Sequence, residues 1–231
     1  MRTDGMPLTP WRMLPAPPLS GGPLPGVASG ELAAHVARCL PPASGDRETV
    51  MVDDGLLMAW LGNAERLADQ RPGPLARLLA ALVLPHGDRV EGTARLHYAA
   101  RNWDAAALLD AAFRSLGTPR ERRVARFCEL AGPVAERALT PGPEAGLVVP
   151  ALFPDEADAV STWLEFLLGR PVAVVRTHDR VGPTGPGPHR IHPRVLGCSA
   201  GALPAEVVER VLQEQSTRSG SVPLVGVVRP G

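Results

Sequence analysis

The residues whose types could carry out chemistry are concentrated between positions 176 and 203. This stretch holds three of the six histidines, one of the three cysteines, four arginines and a G-x-S-x-G pentapeptide. Histidine and thiolate side chains bind zinc, a serine hydroxyl in a tight turn can act as a nucleophile, and arginines bind anions. The stretch therefore offers three kinds of site: metal, nucleophilic and anionic.

A zinc site would use His178, His189, His192 and Cys198, which lie within 21 residues of one another. Three histidines and one thiolate suit Zn²⁺. Structural zinc sites usually show two tight ligand pairs, whereas six prolines and glycines separate His178 from His189. The alternative is a solvated loop whose histidines titrate near neutral pH.

A nucleophilic site would use Ser199, the centre of Gly197-Cys198-Ser199-Ala200-Gly201. A short strand is predicted just before this pentapeptide and a helix just after it, and small flanking residues suit such a turn. The only groups available for a triad are Asp179 with His189 or His192, all upstream of the serine. The alternative is a glycine-rich helix entry whose small residues allow close packing.

The segment GCSAGAL, residues 197–203, resembles the nucleophile turn of patatin-like lipases and of α/β-hydrolases. The resemblance covers seven residues and implies an acyl-transfer role for Ser199. Both families place acidic or histidine partners downstream of the serine, and this chain has no aspartate or histidine after Ser199.

An anion site would use the arginines and glycines of the same stretch: Arg176, Arg180, Arg190 and Arg194, with glycines 182, 185 and 187. The prolines between the glycines remove backbone donors that a phosphate nest needs, and no lysine follows. A charged, solvated linker is the alternative.

The amino-acid composition limits the classes of function that we expect for this chain. The 231 residues carry no net charge, and the arginines lack interleaved aromatic residues, so we expect no nucleic-acid partner. All basic residues are arginine, which indicates the codon bias of a GC-rich, bacterial-type genome. The three cysteines lie far apart, which favours a reducing cytoplasm. Prolines interrupt the first apolar residues, and no apolar run approaches 18 residues, so we expect no signal peptide and no membrane insertion.

The chain divides into three regions: a Pro/Gly-rich extended arm (1–29), a helical region (30–143), and a small α/β region (144–231) with a long Gly/Pro/His/Arg loop at 178–198. Periodicity predicts helices over residues 31–40, 54–68, 74–83, 89–101, 104–116, 119–138, 155–168 and 203–213. It predicts strands over residues 49–52, 147–149, 172–177, 194–196 and 222–228, the last at a sheet edge because of Pro223.

Several local signals give sharper expectations. Asp53 or Asp54 caps the helix that follows, with a Mg²⁺ site as the alternative. Thr118, Pro119 and Glu121 form a capping box, and Gly132 with Pro133 kinks the helix behind it. In the helix over residues 104–116 the predicted buried stripe is Leu108, Leu109, Ala112, Phe113 and Leu116.

The predicted fold class is α+β or α/β, mainly helical, with about three strands in the C-terminal unit. No complete catalytic set and no cofactor fingerprint is present, so the predicted function is that of an accessory or assembly protein, non-catalytic, acting through protein-protein binding. The arm and the long loop are the expected contact elements, in a larger complex. The alternatives are a serine hydrolase using Ser199 and a zinc-binding protein using the 178–198 loop.

Overall fold

A computed structural model of the chain describes residues 11–15, 29–43, 48–85, 89–140, 146–177, 193–219 and 225–230. The fold is mixed α and β and mainly helical, as the sequence predicts. The described helices are α1 (Ser29–Cys39), α2 (Asp54–Trp60), α3 (Pro74–Val83), α4 (Arg89–Asn102), α5 (Ala105–Ser115), α6 (Arg120–Ala131), α7 (Pro133–Leu139), α8 (Pro154–Leu168) and α9 (Ala205–Ser219). The described strands are β1 (Trp11–Pro15), β2 (Thr49–Asp53), β3 (Glu65–Arg66), β4 (Leu147–Val148), β5 (Val172–Arg176), β6 (Arg194–Cys198) and β7 (Val225–Pro230).

The main sheet takes strands from both ends of the chain. Its order is β1-β7-β2-β5-β6, with β2 parallel to β5 and the other neighbours antiparallel. Strands β1 and β2 precede residue 54, so the sheet reaches across the predicted boundary at residue 143. The prediction that the last strand lies at an edge is wrong: β7 is bonded on both sides, and it begins at Val225, beyond Pro223. Pro223 lies outside the described residues.

Both faces of the sheet are covered, which explains the unbroken apolar runs of β2 and β5. Side chains that alternate along these strands point to opposite faces. Val50, Val52, Val172 and Val174 lie in one cluster with residues of α1, α2 and α8, while Met51, Ala173 and Val175 lie in another with residues of α9. A third and larger cluster joins α3, α4, α5, α6 and α7. The helical layer and the sheet layers thus have separate cores.

Three predicted helix boundaries are wrong for local reasons. Helix α2 ends at Trp60, because Gly62 adopts a φ of 77° and the N–H groups of Gly62 and Asn63 bond back to Ala59 and Met58, a Schellman end. The capping box does not form, since α6 begins at Arg120 after an uncapped Pro119. Gly132, with a φ of 81°, separates α6 from α7 completely instead of kinking one helix.

The predicted buried stripe of α5 is only partly correct. Leu108 and Ala112 are buried as expected, together with Ala111 and Ser115. Leu109 is half-buried, and Phe113 and Leu116 are exposed. The helix turns its smaller residues toward the core, because five helices meet there and alanine allows them to approach closely.

Candidate functional site

Ser199 lies directly after the edge strand β6, where its hydroxyl and amide complete the pairing with β5. Its Oγ accepts a hydrogen bond from the N–H of Val172 at 2.9 Å, and its own N–H donates to the carbonyl of Val172 at 2.9 Å. The side chain is buried, with 3% of the residue exposed. This geometry favours a structural role for the hydroxyl, which extends the ladder between two strands.

The two glycines of the pentapeptide lie where neighbouring segments approach closely. A Cβ added at Gly197 would lie 2.4 Å from the backbone of Ala157 in α8. A Cβ added at Gly201 would lie 2.8 Å from Glu165 and 3.1 Å from Pro171. Since real Cβ atoms do not approach backbone this closely, packing alone accounts for Gly197. Close packing therefore explains why a glycine stands two residues before Ser199, and the explanation does not require Ser199 to be a nucleophile.

Cys198 is the one predicted zinc ligand among the described residues. It is half-buried at the end of β6, and burial, with the nearby carboxylates of Asp158, Glu209 and Glu206, raises the pKa of its thiol. A raised pKa disfavours the thiolate that binds zinc. His178, His189, His192 and Asp179 lie outside the described residues, as do Arg180 and Arg190. Within the described ranges no group of three His, Cys, Asp or Glu side chains could hold a metal ion.

The densest cluster of charge lies at the carboxyl ends of the parallel strands β2 and β5, where ligands collect in open α/β sheets. Asp53 follows the prediction of a helix cap: its Oδ1 accepts a hydrogen bond from the N–H of Leu56 at 3.0 Å. Its Oδ2 accepts from the N–H and the hydroxyl of Thr177, at 3.1 and 2.7 Å. The carboxylate of Asp53 thus joins the end of β2 to the end of β5.

Asp54 is fully buried beside two arginines from different layers. Its Oδ2 accepts hydrogen bonds from Nε and NH2 of Arg176, at 3.0 and 2.8 Å, while NH1 of Arg137 lies 3.8 Å from its Oδ1. Burial raises the pKa of Asp54, and the charges of Arg137 and Arg176 oppose this rise. Arg137 comes from α7, so the pair ties the helical layer to the sheet.

The sequence offers Arg176 as one of four arginines for an anion site, with a charged, solvated linker as the alternative, and it does not single out Arg137. In the structure Arg176 is buried and holds Asp54, so its guanidinium is already neutralised. Nothing local marks Arg137, whose partner lies far away in sequence. A Cβ at Gly55 would meet NH2 of Arg137, which shows how closely this guanidinium lies against the start of α2. Asp53, Asp54, Arg137 and Arg176 are all buried and contact other protein groups, which favours a structural role for this cluster.

Two helices each carry a line of apolar residues in which one aromatic side chain is exposed and one other member, Leu109 on α5 or Trp163 on α8, is half-buried against the core. On α5 and its C-cap, Leu109, Phe113 and Leu116 follow one another at four and three residues, and Phe113 is 55% exposed. On α8, Ala159, Trp163 and Phe166 have the same spacing, and Phe166 is 85% exposed. Residues at this spacing lie on one side of a helix. We call these lines the α5 face and the α8 face.

No protein-family model matches this sequence, and no curated protein matches it. No described helix is long and apolar enough to cross a membrane.

Proposed function

We propose that this chain is a non-catalytic accessory or assembly protein of the bacterial cytoplasm, and that it binds another protein through the α5 face. The observation that carries the proposal is the exposure of Phe113 and Leu116 on a helix whose adjoining side is already buried. Large apolar side chains grouped at a surface are typical of protein-binding sites.

The amphipathic pattern of α5 supports this proposal. A helix on a protein surface usually has one apolar stripe facing the core and polar residues elsewhere. In α5 the buried residues and the α5 face together cover more than half of the circumference, and Asp110 and Arg114 mark the remaining polar side. A helix with apolar residues over most of its surface is usually buried. The part that its own core leaves open therefore fits a partner.

A capture experiment with three forms of the full chain tests the proposal. Phe113→Asp places a charge in the α5 face, while Ala107→Asp places the same charge on another exposed side of α5. We expect a protein that is captured by wild type and by Ala107→Asp to be lost with Phe113→Asp. Phe113 is exposed, so equal thermal stability of the two variants should confirm that both fold. Identical captured proteins in all three samples would contradict the proposal.

A further inference from the structure

We infer that the α5 face of one molecule binds the α8 face of a second copy, so that the chain assembles head to tail; this inference rests on the proposed role of the α5 face in protein binding. Both faces present an aromatic residue in an apolar line of the same spacing. Phe113, Leu116 and Phe166 are exposed in the single chain, whereas Leu109 and Trp163 are half-buried.

The elements that carry the two faces, α8 on one side and the pair of helices α5 and α6 on the other, have opposite net charge. Helix α8 contains four carboxylates and no basic residue over Pro154–Leu168. Residues 105–131, which form α5, α6 and the turn between them, contain five arginines and three carboxylates, a net charge of +2. Arg114 in α5 and Arg120 and Arg122 in the first turn of α6 are exposed, and Arg114 lies 3.4 Å from Asp110. Charges of opposite sign around two apolar lines attract and orient the molecules as they meet.

The acidic residues of α8 lie on both sides of its apolar line. On a helix of 3.6 residues per turn, Glu156 lies to one side of the line Ala159–Trp163–Phe166, and Asp158 and Glu165 lie to the other. Phe166 ends this line, with Glu165 next to it, while the other carboxylates lie within the first five residues of α8. Charged residues beside an apolar line fit the polar margin of a protein interface.

The pairing uses two different surfaces, so its symmetry is heterologous. In such an interface each molecule offers one α5 face and one α8 face, and the contact repeats until it closes into a ring or continues as a filament. An interface in which the same face met itself would stop at a dimer. The chemistry of the faces disfavours that alternative, because α8 against α8 would bring eight carboxylates together.

Mixing two variants tests the arrangement. Phe113→Asp removes the α5 face and leaves the α8 face intact, whereas Phe166→Asp does the reverse. In sedimentation velocity, wild type at about 200 µM should form species larger than a dimer. Each variant alone should stay monomeric, because loss of a central aromatic side chain lowers the affinity of an interface at least about 30-fold. An equimolar mixture should give one complex of about 49 kDa, twice the 24.4 kDa of one chain, and nothing larger.

A control variant and a change of salt concentration accompany the mixing experiment. Ala107→Asp should assemble as wild type does, and raising the salt from about 0.05 to 0.5 M should weaken the wild-type assembly. Two monomeric variants that stay monomeric when mixed, assembly by Phe166→Asp, or assembly that salt strengthens would each overturn the inference. A wild type that is monomeric throughout, while Phe113→Asp still loses a different captured protein, overturns self-recognition and leaves the proposed function intact. If Phe113→Asp changes neither assembly nor capture, both proposals fall.

Discussion

Replacing Arg137 with methionine tests whether the buried charge cluster joins the helical layer to the sheet. The substitution keeps an apolar stem and removes the guanidinium that lies 3.8 Å from Asp54 Oδ1, in a place where neither side chain is more than 1% exposed. Removing one partner of a buried ion pair costs about 3 to 5 kcal/mol. We expect about 3 kcal/mol, at the lower end, because Asp54 keeps its two hydrogen bonds from Arg176.

The matched control is Arg101→Met. Arg101 lies 3.2 Å from Glu65, closer than Arg137 lies to Asp54, but its side chain is 53% exposed and that of Glu65 is 38% exposed. An exposed pair contributes about 0 to 1 kcal/mol. In urea unfolding with an m-value of about 3 kcal/mol per molar, Arg137→Met should lower the midpoint by about 1 M and Arg101→Met by no more than about 0.3 M. Equal, small shifts in both variants would refute the conclusion that burial makes the Asp54 pair important.

The pH dependence gives this comparison a second readout. Asp54 has a raised pKa in the folded chain, so folding takes up a proton as the pH falls toward that pKa. The contribution of Asp54 to stability is therefore present below the pKa of the unfolded chain and is lost as the pH rises through the folded pKa. The positive charge of Arg137 reduces this loss of stability, and it does so only while the carboxyl group of Asp54 is ionised. The difference in stability between wild type and Arg137→Met should thus shrink as the pH falls through the folded pKa of Asp54.

Three further predictions concern single residues. Ser199→Ala should lower the free energy of unfolding, measured in urea, by about 1 to 3 kcal/mol, because it leaves the buried N–H of Val172 without its acceptor. Any ester hydrolysis by the purified chain should be unchanged. Loss of hydrolysis would instead support a role of Ser199 as a nucleophile. Gly197→Ala should lower the melting temperature, whereas Gly117→Ala, where nothing lies within 4 Å of the added Cβ, should leave it nearly unchanged. Tyr98 is the only tyrosine, and burial raises its pKa to about 12, so phenolate absorbance in the folded protein should appear only near that pH; titration near pH 10 without unfolding would show that the ring is not buried.

The sequence predicted the start of a helix correctly where a proline or a capping aspartate lies at that start. Pro74 marks the start of α3 in both sequence and structure, and Asp53 caps α2 as expected. The predicted helix over residues 54–68 ran through Gly62 and Asn63, because the apolar spacing continues to residue 68. The hydrogen bonds of Gly62 and Asn63 back into α2 decide the end in the folded chain.

The sheet order and the charge cluster could not be read from the sequence in the same way. Strand β7 lies between β1 and β2, although more than 170 residues separate it from either. Asp54 meets Arg176 across 122 positions. No fixed spacing between residues in the sequence predicts either contact, since each depends on how the whole chain folds. The same applies to α5, where periodicity identified an apolar helix but not which of its apolar residues would remain exposed.

Side chains from two helices bond to donors on the open edge of strand β6. An open strand edge invites another strand through its free N–H groups. In β6 the N–H of Val195 donates to Glu209 at 2.8 Å, and the N–H of Cys198 donates to Asp158 at 3.0 Å. Two helices thus satisfy donors that an added strand would use. Because Asp158 also flanks the α8 face, replacing it would change the sheet edge and the charge of the face together. Asp155, which is exposed and takes no part in these two bonds to β6, is therefore the residue with which the charge of the α8 face can be varied.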